Sequence, residues 1–281
     1  MNEKIIKFGP EKNMLGIVSL PDSSASTDQL ADTPAILLLN SGLIHKVGPY
    51  RMSVDLARKL ASAGYVVFRF DLPGIGDSTA YKTTDGYKER TVNEISSAMD
   101  VITKRYGKNN FISIGLCTGA MNSHVIASSD IRVQGAVMLD AYAYPTAKFL
   151  VRRYAGKLHR IFHPEIILRV FNRLFNKTDH SHQSGVEEGI DYWQQPPKNE
   201  IQNDLATMMS RDARLLYIYS GGVKEIYNYE KQFEETFSSV DFKNNLTVRY
   251  LEKMDHTYTL QNDRDDMLGI IEQWVMSNYP G

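Results

Sequence analysis

The stretch that decides the fold runs from Ile112 to Ala120 and has the sequence ISIGLCTGA. It begins in a short apolar run, Phe111–Ile114, with the composition of a buried β-strand. The next five residues fit the pattern G-x-C-x-G around Cys117, and Ala120–Ser128 predicts a helix. A sharp strand-to-helix turn lifts its central side chain clear of the sheet, and flanking glycines avoid clashes with the tight backbone.

Cys117 is therefore the predicted nucleophile. The N-terminus of the following helix points at this side chain, and its partial positive charge stabilises a thiolate. The alternative is a buried structural cysteine, since free cysteine is among the most buried residue types. The strand–turn–helix context favours the catalytic interpretation.

Apolar runs on either side of this motif indicate more strands of the same sheet. Before it, Ala35–Leu39 and Tyr65–Phe70 have the length of buried strands, and the segments 50–64 and 91–106 have helical spacing. After it, the predicted strands are Gln134–Leu139, Leu215–Tyr219 and Leu246–Leu251, and the predicted last helix is Asp265–Ser277. Residues 3–20, broken at Gly9-Pro10, fit a pair of edge strands. Strand–helix alternation of this kind predicts an α/β fold with a mostly parallel central sheet and helices on both faces.

Residues 145–205 break the alternation. They contain no strand pattern but two amphipathic segments, Thr146–Phe162 and Pro164–Phe175, and proline suits the first position of a helix. We predict a helical cap at 145–205, inserted into a core formed by residues 1–144 and 206–281.

Composition limits the class of protein. The chain has 281 residues, a net charge of −1 and one cysteine. The charge argues against a nucleic-acid binder, and a single cysteine allows no internal disulfide, which favours a reducing compartment. We see no signal peptide and no apolar run long enough for a membrane span, so we expect a cytoplasmic protein.

His256 is the predicted general base. It follows the last strand, Leu246–Leu251, and the carboxyl ends of parallel strands are where sites assemble in such sheets. His45 follows the first central strand, and we expect it at the pocket mouth. His180 and His182 lack a ligand set with metal-binding spacing, so a polar loop is the preferred interpretation and no metal or cofactor is expected.

Two carboxylates are candidates for the acid that orients the imidazole, and the sequence does not decide between them. Glu225 is the first carboxylate after the strand Leu215–Tyr219, and Asp140 ends the strand Gln134–Leu139. Either could instead be a helix cap or an ion-pair partner. Asp255, beside the histidine, is better explained as a loop brace.

A tetrahedral intermediate also needs backbone donors for its oxyanion. The Thr118 N–H, directly after the nucleophile, is one candidate. The second is the N–H of Leu43 or Ile44, in the loop after Ala35–Leu39, where Gly42 lets the backbone approach.

These motifs together resemble the α/β-hydrolase superfamily. The likeness rests on G-x-C-x-G, on the turn D-x-x-G-x-G-x-S that begins at Asp71, and on the late Asp255-His256. Val47-Gly48, Gly115-Leu116-Cys117 and Asp255-His256-Thr257 are also similar to exosortase-system-associated hydrolases. That group has an aspartate just after Ser-Gly, where this chain has Gly222-Val223. The departure concerns the third member of the triad and not the fold.

The resemblance implies a hydrolase in which Cys117 takes the nucleophile role and His256 the base role. Cysteine in place of serine is similar to dienelactone hydrolases and to some polyketide or peptide thioesterases. We therefore expect an esterase, thioesterase or acyltransferase that forms an acyl-cysteine, which an alcohol or amine could intercept before water does.

The cap suggests how an acyl substrate arrives. Between Lys148 and Lys177 there are eight Lys and Arg residues and one acid, Glu165. The charged residues of 185–205, in contrast, are mostly acidic. The plainer explanation is a solvated basic face on helices whose apolar stripes roof an acyl pocket. The sharper hypothesis is that this face receives an acidic partner such as an acyl carrier protein, or anionic lipid.

Two other functions stay open. A non-catalytic homologue that binds an acyl ligand or a partner protein is favoured by the unsettled acid. Peptidase activity is suggested by the turn at Asp71, but nothing in the sequence selects an N-terminal amine.

Overall fold

The structure is a computed structural model, and it describes residues 2–21, 33–161 and 195–280. Within these ranges one sheet contains eight strands in the order β1-β2-β4-β3-β5-β6-β7-β8. The strands are β1 (Asn2–Phe8), β2 (Met14–Leu20), β3 (Ala35–Leu38), β4 (Val67–Phe70), β5 (Phe111–Leu116), β6 (Val133–Leu139), β7 (Arg214–Ser220) and β8 (Leu246–Leu251).

The sheet is parallel from β4 to β8, and only its first edge is antiparallel. β1 and β2 form an antiparallel hairpin, and β2 pairs antiparallel with β4. β5 is central, parallel to both β3 and β6, and every one of its residues is buried. Strands covered on both faces are near-continuous apolar runs, which is why this segment is recognisable in the sequence.

Helices cover both faces of the sheet. They are α1 (Met52–Ser62), α2 (Tyr87–Tyr106), α3 (Thr118–Ser129), α4 (Ala147–Ile161), α5 (Lys198–Ser210), α6 (Gln232–Thr236) and α7 (Gln261–Asn278). α1 and α7 bury Leu56, Leu60 and Ile271 against one face of the sheet. α2 and α5 bury Ile95 and Leu205 in the apolar cluster on the other face. The predicted α/β architecture, with a mostly parallel sheet between two helical layers, is confirmed.

The predicted insertion coincides only in part with the helices. α4 occupies the first amphipathic segment, whereas the predicted helix Pro164–Phe175 lies outside the described residues. α5 crosses the predicted boundary at residue 205 and buries Ile201 and Leu205 in the core. The cap of residues 145–205 therefore stays a prediction, and its last residues include part of a core helix.

No helix in the described part of the chain is long and apolar enough to cross a bilayer.

Candidate active site

Cys117 lies at the turn between β5 and α3 in a strained backbone conformation. Its φ is 58° and its ψ −120°, a region that side chains other than glycine rarely occupy. A Cβ at Gly115 would overlap the Gly119 carbonyl, and one at Gly119 would lie 2.6 Å from the Asn40 oxygen. Both glycines are therefore required by close backbone contacts, as the G-x-C-x-G pattern predicts.

His256 lies beside Cys117. It follows β8, and its side chain is about a third exposed. The imidazole hydrogen bonds through Nδ1 with Asp140 Oδ2 at 2.7 Å, and the Cys117 side chain is close enough to raise the pKa of the ring. Because Nδ1 is engaged by the carboxylate, Nε2 is left for the sulfur. Only 9% of Cys117 is exposed, so the pair is largely shielded from solvent.

Asp140 is a fully buried carboxylate at the end of β6. Besides the imidazole, it accepts hydrogen bonds from the Ser220 N–H at 2.6 Å and the Ser220 hydroxyl at 2.7 Å. Its φ is 51°, a second positive value at this edge of the sheet. These donors fix the carboxylate, and the carboxylate in turn fixes the tautomer and orientation of His256.

Glu225 is not close to His256, and our first alternative for the orienting acid is thereby corrected. Its side chain is 66% exposed and forms an ion pair with Arg153 of α4 at 3.1 Å. The physical reason lies in Gly221 and Gly222, which follow β7. A Cβ at either glycine would overlap the backbone of Glu252 or His256, so the histidine loop packs directly on this strand end.

The His256 imidazole keeps its proton well above neutrality. The hydrogen bond with Asp140 and then that with Cys117 raise its pKa from 6.5 to about 10, against an opposing effect of burial. Because the pKa is raised in the folded state, the associated stabilisation is complete below about pH 6.5 and is lost as pH rises through about 10.

Comparisons with known proteins agree with the fold. The family model of the α/β hydrolase fold matches residues 34–161. The esterase Pf2001 of Pyrococcus furiosus is 17% identical with a TM-score of 0.60, and the match covers 100% of this chain and 93% of that chain. A serine hydrolase without a lid from Xanthomonas campestris is 14% identical with a TM-score of 0.57, and coverage is 100% and 97%.

A third similar structure is the proline iminopeptidase of Mycobacterium smegmatis, at 13% identity, a TM-score of 0.56 and 98% coverage of both chains. No curated protein sequence matches this chain significantly. The chain has the α/β-hydrolase fold. In that fold the strand-to-helix turn of β5 carries Cys117, and the loops after β6 and β8 carry Asp140 and His256.

The loop after β3, which contains the predicted oxyanion donors, contacts the turn that carries Cys117. The Gly42 N–H donates to Thr118 Oγ1 at 2.6 Å, and Gly42 has a φ of 56°. The Ile44 N–H donates to the Ser41 carbonyl at 3.0 Å, so this predicted oxyanion donor is already used within the turn. Leu43 lies in the same turn with its side chain 77% exposed, and its role stays a prediction.

Asp71 clamps this loop from the neighbouring strand. The carboxylate is completely buried and accepts hydrogen bonds from the Asn40 amide at 3.0 Å and the Lys46 N–H at 2.6 Å. Lys46 Nζ, itself buried, lies 2.8 Å from Asp71 Oδ2 and 2.5 Å from Asp77 Oδ2. The hydrogen bond from Lys46, and then that from His45, lower the Asp77 pKa to about 2. The turn that begins at Asp71 thus positions the oxyanion loop, a role that the sequence pattern alone does not indicate.

His45 belongs to this clamp. With Asp71 and Asp77 it forms a cluster whose atoms could surround a metal ion, the one such group among residues 2–21, 33–161 and 195–280. The Lys46 ammonium lies within the cluster, 2.9 Å from His45 Nε2, and supplies its positive charge. We therefore assign the cluster a structural role. His180 and His182 lie outside the described residues.

Proposed function

We propose that this chain hydrolyses or transfers the acyl group of an ester or thioester through a covalent acyl-cysteine. One observation carries the proposal: Cys117, in a strained turn at a helix N-terminus, lies beside an imidazole that a buried carboxylate orients. A nucleophile, a base and an orienting group within hydrogen-bond reach are the requirements for covalent acyl transfer.

The acylation step uses a thiolate and an imidazolium. Because the His256 pKa is raised to about 10, chiefly by Asp140, the ring is protonated at neutral pH and stabilises a negative charge on the adjacent sulfur. The thiolate attacks the acyl carbon, and the carbonyl π electrons move to the oxygen. When the intermediate collapses, the bond to the leaving group breaks and that group takes the proton from Nε2.

Deacylation restores the pair. The neutral imidazole now accepts a proton from water, or from an alcohol or amine, as that group attacks the thioester carbon. Collapse of the second intermediate expels the Cys117 thiolate and leaves His256 protonated. His256 thus acts as the general base in this half of the cycle and as the general acid in the first half.

We expect the His256 imidazole to be protonated in the resting protein. The titration to follow is that of His256, whose pKa is raised to about 10, first by Asp140 and then by Cys117. In an NMR titration of the histidine rings, the signal that is absent in His256→Gln should keep its protonated shift from about pH 6 to about pH 9. A His256 signal that titrates near 6.5, as for an ordinary imidazole, would contradict this mechanism.

The intermediate itself tests the proposed function. Rapid mixing with a p-nitrophenyl ester should give a burst of p-nitrophenol and one acyl mass on the intact protein. Peptide mapping should locate that mass on Cys117, and hydroxylamine should release it, as expected for a thioester. Steady turnover with the acyl mass on another residue would refute this nucleophile, and absence of both turnover and adduct across an ester and thioester series would favour the non-catalytic alternative.

The ion pairs of α4 bear on whether a carrier protein presents the acyl group. Two basic side chains of α4 form ion pairs with acidic residues of the α/β domain, Lys148 with Glu235 at 3.6 Å and Arg153 with Glu225 at 3.1 Å. These ion pairs favour packing of α4 on the domain over an open basic surface for a carrier protein. A small-molecule acyl substrate is the form that we propose, in a reducing compartment such as the cytoplasm, where the thiol persists.

A further inference from the structure

The hydroxyl of Thr118 bridges the turn of Cys117 and the loop after β3. It accepts a hydrogen bond of 2.6 Å from the Gly42 N–H, across the gap between the α3 N-terminus and the oxyanion loop. The Gly42 N–H is therefore already satisfied by a side chain of the turn itself.

The same hydroxyl still has a proton to donate. Among the described residues, no acceptor is within hydrogen-bond distance of that proton, and Thr118 is partly exposed. The Thr118 N–H, at the first position of α3, likewise makes no backbone hydrogen bond in the described part of the chain. Two donors of one residue are thus available directly beside Cys117.

We propose that Thr118 is a catalytic residue that donates twice to the oxyanion, once from its backbone N–H and once from its hydroxyl. The inference rests on the proposed acyl transfer and adds a side-chain donor to it. The Gly42 N–H acts through the hydroxyl: a hydroxyl that accepts a strong hydrogen bond is polarised and becomes a better donor. As negative charge develops on the carbonyl oxygen, the relay from Gly42 to Thr118 to the oxygen strengthens.

The clamp around Asp71 holds the relay in place. Asn40, whose amide donates to Asp71, lies in the loop that carries Gly42, and its carbonyl closely approaches Gly119 of the turn. The loop therefore cannot move away from α3 without breaking buried hydrogen bonds. Donors that are fixed before the reaction are the ones that contribute most to transition-state stabilisation.

Three variants test the hydroxyl. Thr118→Val keeps the shape of the side chain and the backbone N–H but removes the hydroxyl, whereas Thr118→Ser keeps the hydroxyl. We expect Thr118→Val to lower kcat for a p-nitrophenyl ester about 10²-fold with KM nearly unchanged, as for loss of one oxyanion donor. Thr118→Ser should restore most of the rate, and Thr118→Ala should match the valine variant.

A substrate with sulfur in place of the carbonyl oxygen separates this role from a structural one. Sulfur is a weak hydrogen-bond acceptor, so the penalty of Thr118→Val should be much smaller for the thiono ester than for the ester. The His256 titration and the thermal midpoint should not change. Equal or higher activity of Thr118→Val on the oxygen ester, or an equal penalty on both esters, would overturn the inference. Failure of wild type to form the Cys117 adduct would instead refute the proposed function.

Discussion

Replacing Cys117 with alanine is expected to lower kcat/KM for an activated ester by about 10³-fold or more, because the covalent step is lost while the oxyanion donors and the substrate contacts remain. The variant should fold normally. Alanine is smaller than cysteine, and the turn around it is fixed by Gly115 and Gly119. Initial rates at saturating and limiting ester, with thermal unfolding as the control for folding, measure this effect.

Cys117→Ser is the matched control, since it keeps a nucleophilic atom at the same place. The cysteine contributes to the raised pKa of His256, second only to Asp140, so the serine variant should have a less basic imidazole. Its residual activity should rise with pH as the imidazole loses its proton, because a serine hydroxyl, unlike a thiolate, needs a neutral base. Retention of wild-type turnover by Cys117→Ala would show that another residue carries the acyl group.

Most of the fold could be predicted because its strands are buried on both faces. The apolar runs at Phe111–Ile114 and Leu215–Tyr219 fit a strand covered on both faces, and their boundaries agree closely with β5 and β7. Helix ends were less predictable: α2 begins at Tyr87, four residues before the predicted start. Its first turn, Tyr87–Arg90, lies before the apolar repeat that identifies the helix.

The candidate site is harder to predict from the sequence, because its residues come from four separate loops. Sequence spacing brought Cys117 and His256 to one edge, but the choice between Glu225 and Asp140 depends on how closely two loops pack. The signal that could have decided it is Gly221-Gly222, which leaves room for the histidine loop and not for a carboxylate. Likewise, the choice between the Leu43 and Ile44 N–H groups as oxyanion donor depends on which of them the turn itself uses.

Asp140→Asn is expected to reduce kcat/KM by about 10⁴-fold, because an amide at this position favours the wrong tautomer of the imidazole. The carboxylate is the first cause of the raised His256 pKa, so the variant should also lower that pKa, which can be followed by NMR titration of the histidine ring. Thermal unfolding must accompany the kinetics, since Asp140 also accepts two hydrogen bonds from Ser220.

Glu225→Gln tests whether Glu225, and not Asp140, is the carboxylate that orients His256. Its side chain is exposed and its ion pair with Arg153 lies at the surface, so both kcat/KM and the His256 titration should stay at wild-type values. If Glu225→Gln lost activity while Asp140→Asn kept it, the acid would have to reach His256 in a conformation different from this one. If only Asp140→Asn loses activity, and if its imidazole titrates at lower pH, then the buried carboxylate that follows β6 is the group that keeps His256 protonated.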